Sequence, residues 1–250
     1  MKTLTTIIAI SILSLSCIAN PNTEKIKELN TKAYSAYLNS SIFMWKQIVN
    51  ESDKILFDKN SEGTDKIEAL KFRFGLLSAC LANKDKDTFN TYLKKTSDLL
   101  NELMKLQPKS SELYAISASI MGLQMGFSPM KGMTLGKLST EHINKAIELD
   151  KTNPLAWKQL GSSKFFTPQM FGGNIKMSIE AYENAIDLFE KKNLTKNWLY
   201  IDSFAWLGLA YEKNGNPDKA KTTYEKALSI EPNFSWVRNN LLPNIAKAKK

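Results

Sequence analysis

Residues 201–232 read IDSFAWLGLAYEKNGNPDKAKTTYEKALSIEP, and this stretch decides the fold. Phe204, Leu207, Leu209 and Tyr211 place large apolar groups on a helix, with Gly208 among them. A glycine in a helix interior costs about 1 kcal/mol relative to alanine. It is tolerated where a second helix packs into the space a Cβ would take. Asn214-Gly215-Asn216-Pro217 then breaks the helix, because Asn and Gly accept positive φ and Pro cannot continue a helix. Asp218 suits the start of a second helix, where carboxylates meet unpaired N–H groups. Ala220, Tyr224, Ala227 and Leu228 recur at helical spacing as its buried stripe. Glu231-Pro232 ends it, since the residue before proline avoids the helical region.

The residue types and spacing of Leu207, Gly208, Tyr211, Gly215, Ala220, Tyr224, Ala227 and Pro232 resemble the tetratricopeptide repeat, a helix–turn–helix unit of about 34 residues. The resemblance implies an all-α fold, an α-solenoid of antiparallel helix pairs wound into a superhelix. It also makes a catalytic role an unexpected one.

A longer variant of the unit occurs twice just upstream. At an offset of 39 residues Gly122 meets Gly161, Phe127 meets Phe166, Pro129 meets Pro168 and Ser139 meets Ser178. Further on, Ala146 meets Ala185 and Leu149 meets Leu188. Gly122 to Ser139 and Gly161 to Ser178 each span 17 residues, whereas Gly208 to Ala220 spans 12. Each upstream unit therefore carries a five-residue insertion between its helices, in the stretches 127–136 and 166–173. Stacked repeats place equivalent loops side by side, so both insertions are expected on one edge of the molecule. Gly132, Gly136, Gly172 and Gly173 are expected to give them unusual backbone.

The remaining organisation follows from periodicity. Residues 1–19 form a targeting segment. Residues 22–110 hold divergent helical pairs, with helices over 24–57 split near Asn39-Ser40-Ser41, a loop at 60–63, and helices over 65–82 and 86–106. Units with insertions occupy 115–153 and 154–193, and the complete unit occupies 201–234. Residues 235–250 read as a capping helix, with Trp236 and Leu241 facing inward and Lys247, Lys249 and Lys250 in water. An end repeat without such a cap would expose its apolar face.

In the first twenty residues Lys2 precedes an apolar stretch from Leu4 to Leu15, too short for the roughly 20 residues a bilayer span needs. Small residues follow, as an export signal requires. Two processing routes fit: cleavage after Ala19, or lipidation of Cys17, because Leu13-Ser-Leu-Ser-Cys17 resembles a bacterial lipoprotein box with Ser14 where Leu is usual. Both place the mature chain outside the cytoplasm, in the periplasm or anchored to a membrane of the envelope. Cys80 is then the one remaining thiol, so no intramolecular disulfide can form. It sits on an apolar helix and reads as a buried, inert thiol.

Catalytic and metal-ligating patterns are missing from the sequence. His142 is the single histidine and occupies the register of Ala181, which argues against a zinc site or a Ser–His–acid triad. Gly172-Gly173 lacks the strand and lysine of a phosphate loop. No cofactor, metal or enzymatic activity is expected. The formal charge is +9, but of 34 basic residues only Arg73 and Arg238 are arginine. Dispersed lysines without arginine disfavour nucleic-acid recognition.

By the family resemblance, the first helix of each unit lines a concave groove, which here would include Lys158, Gln159, Ser162, Asp202, Trp206, Leu209 and Lys213. A chaperone-tail clamp of Lys and Asn does not match, since its positions hold Ser119, Leu123, Lys158, Ser162, Ala205 and Leu209. The insertions offer a second surface through Met130, Met133, Leu135, Met170 and Phe171, unless they fold over the helix ends and complete the core. The expected function is a non-catalytic envelope scaffold for another protein or peptide. The alternative is a periplasmic binder of a small apolar or acidic ligand, like the tetratricopeptide lipoproteins associated with transporters.

Overall fold

The computed structural model describes residues 21–59 and 61–248. The expected targeting segment, Cys17 included, lies outside them, as do Lys249 and Lys250. The described residues form eleven α-helices and no strand. Helices α1 (Pro21–Leu38) and α2 (Ile42–Leu56), α3 (Gly63–Ala82) and α4 (Lys86–Leu106), α5 (Ser111–Phe127) and α6 (Gly132–Leu149), α7 (Pro154–Phe166) and α8 (Ile175–Lys191), and α9 (Trp198–Lys213) and α10 (Pro217–Ile230) follow one another as pairs. A π-helical turn over Val237–Leu241 and α11 (Leu242–Ala248) close the chain. No described helix is long and apolar enough to cross a membrane.

Short polar side chains start these helices. Ser41, Asp85, Ser110, Asn153, Asn174 and Asn197 each accept a hydrogen bond from a backbone N–H in the first turn that follows. Each such cap stabilises by about 1 kcal/mol. Gly215, at φ +74°, makes the turn between α9 and α10.

The pairs stack through their first helices, with α1 on α3, α3 on α5, and α5 on α7. In the N-terminal half, the buried Arg73 guanidinium of α3 binds Asp53 of α2 through Nη2 at 2.7 Å and reaches Thr96 of α4 at 3.4 Å. One cation thus joins three helices.

The glycine register has a direct packing cause. A Cβ on Gly208 would lie inside the van der Waals shell of the Tyr224 ring, and one on Gly161 would lie 2.9 Å from Tyr182. The residue that matches Tyr182 one unit earlier is Ile143, which leaves nothing within 4 Å of a Cβ on Gly122. An aliphatic side chain does not reach where the tyrosine ring does.

The insertions differ from the sequence expectation. The first was read as a loop over 127–136, but α5 runs through Phe127, Pro129–Lys131 form one 3-10 turn, and α6 begins at Gly132. Met133, Thr134 and Leu135 are ordinary helix formers, so the extra residues lengthen α6 rather than loop out. Gly132 and Gly136 are helical; of the four glycines only Gly172, at φ +93°, needs a left-handed backbone. Gly173 is needed for space instead, because a Cβ there would run into the Thr167 carbonyl oxygen.

These contacts separate two substitutions of the same kind. Gly208→Ala is expected to destabilise by about 1–3 kcal/mol, because the Tyr224 ring must move. Gly122→Ala is expected to stabilise by up to about 1 kcal/mol from helix propensity alone. Urea unfolding of the two variants checks both signs.

Candidate functional site

The concave face is closed at its centre. The hydroxyl of Tyr37, near the end of α1, donates to Asp202 Oδ1 of α9 at 2.5 Å. Lys158 Nζ of α7 pairs with Asp202 Oδ2 at 2.6 Å, and Trp206 Nε1 donates to Oδ1 at 3.1 Å. Burial, reinforced by the Asp202 charge, raises the Tyr37 phenol well above its usual value, so it serves as a donor. Trp198, at the start of α9, sits with its ring 5.5 Å from those of Tyr37, Trp45 and Phe74, on α1, α2 and α3. Ser235 Oγ donates to the Leu38 carbonyl at 2.7 Å. The first pair therefore meets the last, and the array shuts on itself.

This placement corrects the expected groove. Lys158, Gln159 and Asp202 are buried, at 4%, 8% and 6% exposure, and form interior packing rather than a binding wall. Ser162, Trp206 and Leu209 are half-buried, and Lys213 is exposed. Ser162 Oγ is occupied by the Tyr182 hydroxyl at 3.0 Å. The cause is curvature: α1 crosses to α9 and fills the space, and periodicity within a repeat does not report the angle between repeats.

What stays accessible is an aromatic surface at the edge. Trp206 stacks edge-on against Phe166 at 5.2 Å, Phe165 at 5.7 Å and Trp236 at 5.5 Å. Lys213 lies over the Phe165 ring at 4.5 Å and donates to the Phe165 carbonyl at 2.7 Å. Phe166 is exposed, and Trp206 and Trp236 are half-buried. Phe165, Phe166 and Trp236 are not among the expected site residues. The signal for the first two is an adjacent pair of aromatic residues at a helix end, where both rings reach Trp206. Trp236, expected to face inward, is half-buried against the core and leans on Trp206.

The second insertion adjoins this surface, since it runs on from Phe166. Met130, Met133, Met170 and Phe171 are 75%, 81%, 82% and 72% exposed, while Leu135 is half-buried. The four exposed tips do not complete the core. Asn174 N–H donates to the Lys164 carbonyl at 3.0 Å, and Lys164 Nζ donates to the Gly172 carbonyl at 3.0 Å, so α7 holds the second insertion against its own end.

The titratable groups elsewhere are structural. His142 Nδ1 lies 2.9 Å from Ser117 Oγ and its ring is edge-on to Tyr114. Burial lowers its pKa below the usual 6.5. Burial pushes the Cys80 thiol up to about 11, with Asp85 adding to the rise, so thiolate is scarce at neutral pH. Among the described residues no group of three or more His, Cys, Asp and Glu side chains could hold a metal ion. An open groove of about 500 Å³ runs between α8, α9 and α10 over Phe204, Leu207 and Tyr211. Its carboxylates are engaged: Glu183 accepts from the Tyr211 hydroxyl, and Glu190 from the Tyr200 hydroxyl at 2.9 Å.

Residues 201–234 match the family model of the tetratricopeptide repeat. Anaphase-promoting complex subunit 3 of Schizosaccharomyces pombe is 29% identical over 158 residues, which cover 61% of this chain and 20% of that protein. The chain thus spans about a fifth of the length of the curated relative it matches. Among solved structures, the HusA haemophore from Porphyromonas gingivalis aligns with a TM-score of 0.60 at 16% identity, covering 78% of this chain and 96% of that one. The APC/C hetero-tetramer Cut9–Hcn1 aligns at 0.54 and 15% identity, covering 92% and 42%. Both likenesses concern the fold. Residues 201–234 are thus matched as a tetratricopeptide repeat, and the chain is built as an α-solenoid of paired helices.

Two measurements follow from the buried groups. Lys158→Met leaves the Asp202 carboxylate without its counter-ion and is expected to cost about 3–5 kcal/mol in urea unfolding, partly restored by adding Asp202→Asn. For His142, the unfolded chain takes up a proton near pH 6.5 and the folded chain only at lower pH. Stability is therefore expected to hold above that pH and to fall below it, with His142→Gln flattening the slope below pH 6.5.

Proposed function

We propose that the chain is a non-catalytic recognition protein that binds another protein or peptide through the aromatic edge formed by Phe165, Phe166, Trp206 and Trp236. The observation that carries this is the arrangement itself: four rings from three elements in mutual contact, half-open, with Lys213 over one of them. Aromatic clusters of this kind supply most of the energy of protein contacts. The superfamily's scaffolds bind protein partners, which supports the same reading. The pattern of the first twenty residues supports export to the envelope, with or without a lipid on Cys17.

A second reading is the capture of a small, flat, apolar acid. The aromatic edge with its lysine suits such a molecule, and the solved haemophore is named for a planar ligand of that chemistry. A haem-like ligand would stack on Phe166 and Trp206, with Lys213 and Lys164 near its carboxylates.

Native mass spectrometry of the protein purified from its own cell envelope separates the two. A co-purifying polypeptide supports the first reading, and a small molecule on a monomer supports the second. Because Phe166 is exposed, Phe166→Ser is expected to change folding stability by about 0.5 kcal/mol or less. It is expected to weaken the retained partner by at least about tenfold, as loss of a hot-spot side chain does. Unchanged binding in the Phe166→Ser and Lys213→Glu variants would place the contact elsewhere.

A further inference from the structure

Exposed apolar side chains are concentrated at the insertions. Of the eleven large hydrophobic residues that are exposed among the described residues, seven fall within 130–138 and 166–177, and the four most exposed of all are Met130, Met133, Met170 and Phe171. These two segments share a place in the fold, each joining the first helix of a unit to the second. Phe127 packs on Phe89 at the start of α4, and Lys213 at the end of α9 reaches Phe165, so neighbouring units present the same ends along this edge.

Charge is segregated at the same place. The sequence contains no carboxylate between Glu112 and Glu141, nor between Asp150 and Glu180. Those intervals hold Lys131, Lys137, Lys151, Lys158, Lys164 and Lys176. Lys158 is buried against Asp202; the insertions are flanked by Lys131 and Lys137 on one side, and Lys164 and Lys176 on the other. The nearest carboxylate to the first group, Glu141, lies 3.9 Å from Lys137 at the segment's end.

We infer that this edge docks on an anionic lipid surface, with Met130, Met133, Met170 and Phe171 entering the headgroup layer and the four flanking lysines facing lipid phosphates. Three observations select a bilayer over a protein partner. The four apolar side chains are 72–82% exposed and sit in short turns or the first turn of a helix, a shallow array suited to a headgroup layer. Methionine and phenylalanine suit the shallow apolar layer of an interface. Lysine is depleted at protein contacts but gains energy beside anionic lipid. The inference does not rest on the proposed partner or on the N-terminal segment, and its test is independent of both.

The test uses the full chain with Cys17→Ser and an environment-sensitive fluorophore on Met170→Cys. The buried Cys80 stays unlabelled in the folded protein. A second preparation carries the fluorophore on Leu106→Cys, a site at the end of α4 that is 70% exposed against 82% for Met170. Whatever the leader does at a vesicle is common to both. With vesicles of phosphatidylglycerol and phosphatidylcholine, the expected result is a blue shift at position 170 and none at 106. High salt is expected to reverse it, and Lys131→Glu, Lys137→Glu, Lys164→Glu and Lys176→Glu together to weaken partitioning by at least about tenfold. Circular dichroism of that variant confirms that it is folded. No shift at 170 would overturn the inference and leave the edge to a protein partner. An equal shift at both sites, a response to pure phosphatidylcholine as large as to the anionic vesicles, or indifference to the four substitutions would also overturn it.

Discussion

The buried ion pair between Lys158 and Asp202 is the contact on which the rest of the arrangement depends. Two charges withdrawn from water carry a desolvation cost of several kcal/mol each, offset only by good geometry and further hydrogen bonds. Here Asp202 receives all of these: the Lys158 ammonium, the Tyr37 hydroxyl and the Trp206 indole N–H. Those three donors come from α7, α1 and α9 itself. A carboxylate so satisfied fixes the position of α1 against α9, and an apolar residue at the same place would fill volume without specifying that geometry.

That choice moves recognition outward. In an open solenoid the first helices of the units line a groove that a peptide can enter. In this chain α1, α7 and α9 converge on Trp198 and Asp202, and most of the exposed large apolar side chains lie where the helices end. The aromatic edge is continuous with the closing network, because Trp206 belongs to both. A ligand that shifts the Trp206 ring would pull on Asp202, so binding at the edge and packing at the centre share one side chain.

Much of the fold was legible because it is written in local rules. Gly208 declared a closely packed second helix, and the Tyr224 ring of that helix fills the space; Asn214 to Pro217 declared the turn that Gly215 makes. The 39-residue offset located both insertions without any structure. The closure was not legible, because it depends on contacts 165 residues apart between Tyr37 and Asp202 and on the angle at which units stack. Which side chains are exposed was half legible for the same reason. Met130, Met133, Met170 and Phe171 were singled out by composition and are exposed, whereas Lys158, Gln159 and Asp202 were placed on a groove that α1 fills. Gly132 and Gly136 misled because a glycine can sit in a helix as well as in a loop.

A linear array of repeats can gain or lose a unit at either end, since each unit touches only its neighbours. Joining the first pair to the last removes that freedom. The number of units between α1 and α9 becomes fixed by geometry, as the number of staves is fixed in a barrel, and a duplication or deletion within that span would separate Tyr37 from Asp202. Divergence in such a lineage is confined to what projects between the units without changing their count, and the two five-residue insertions are changes of that kind.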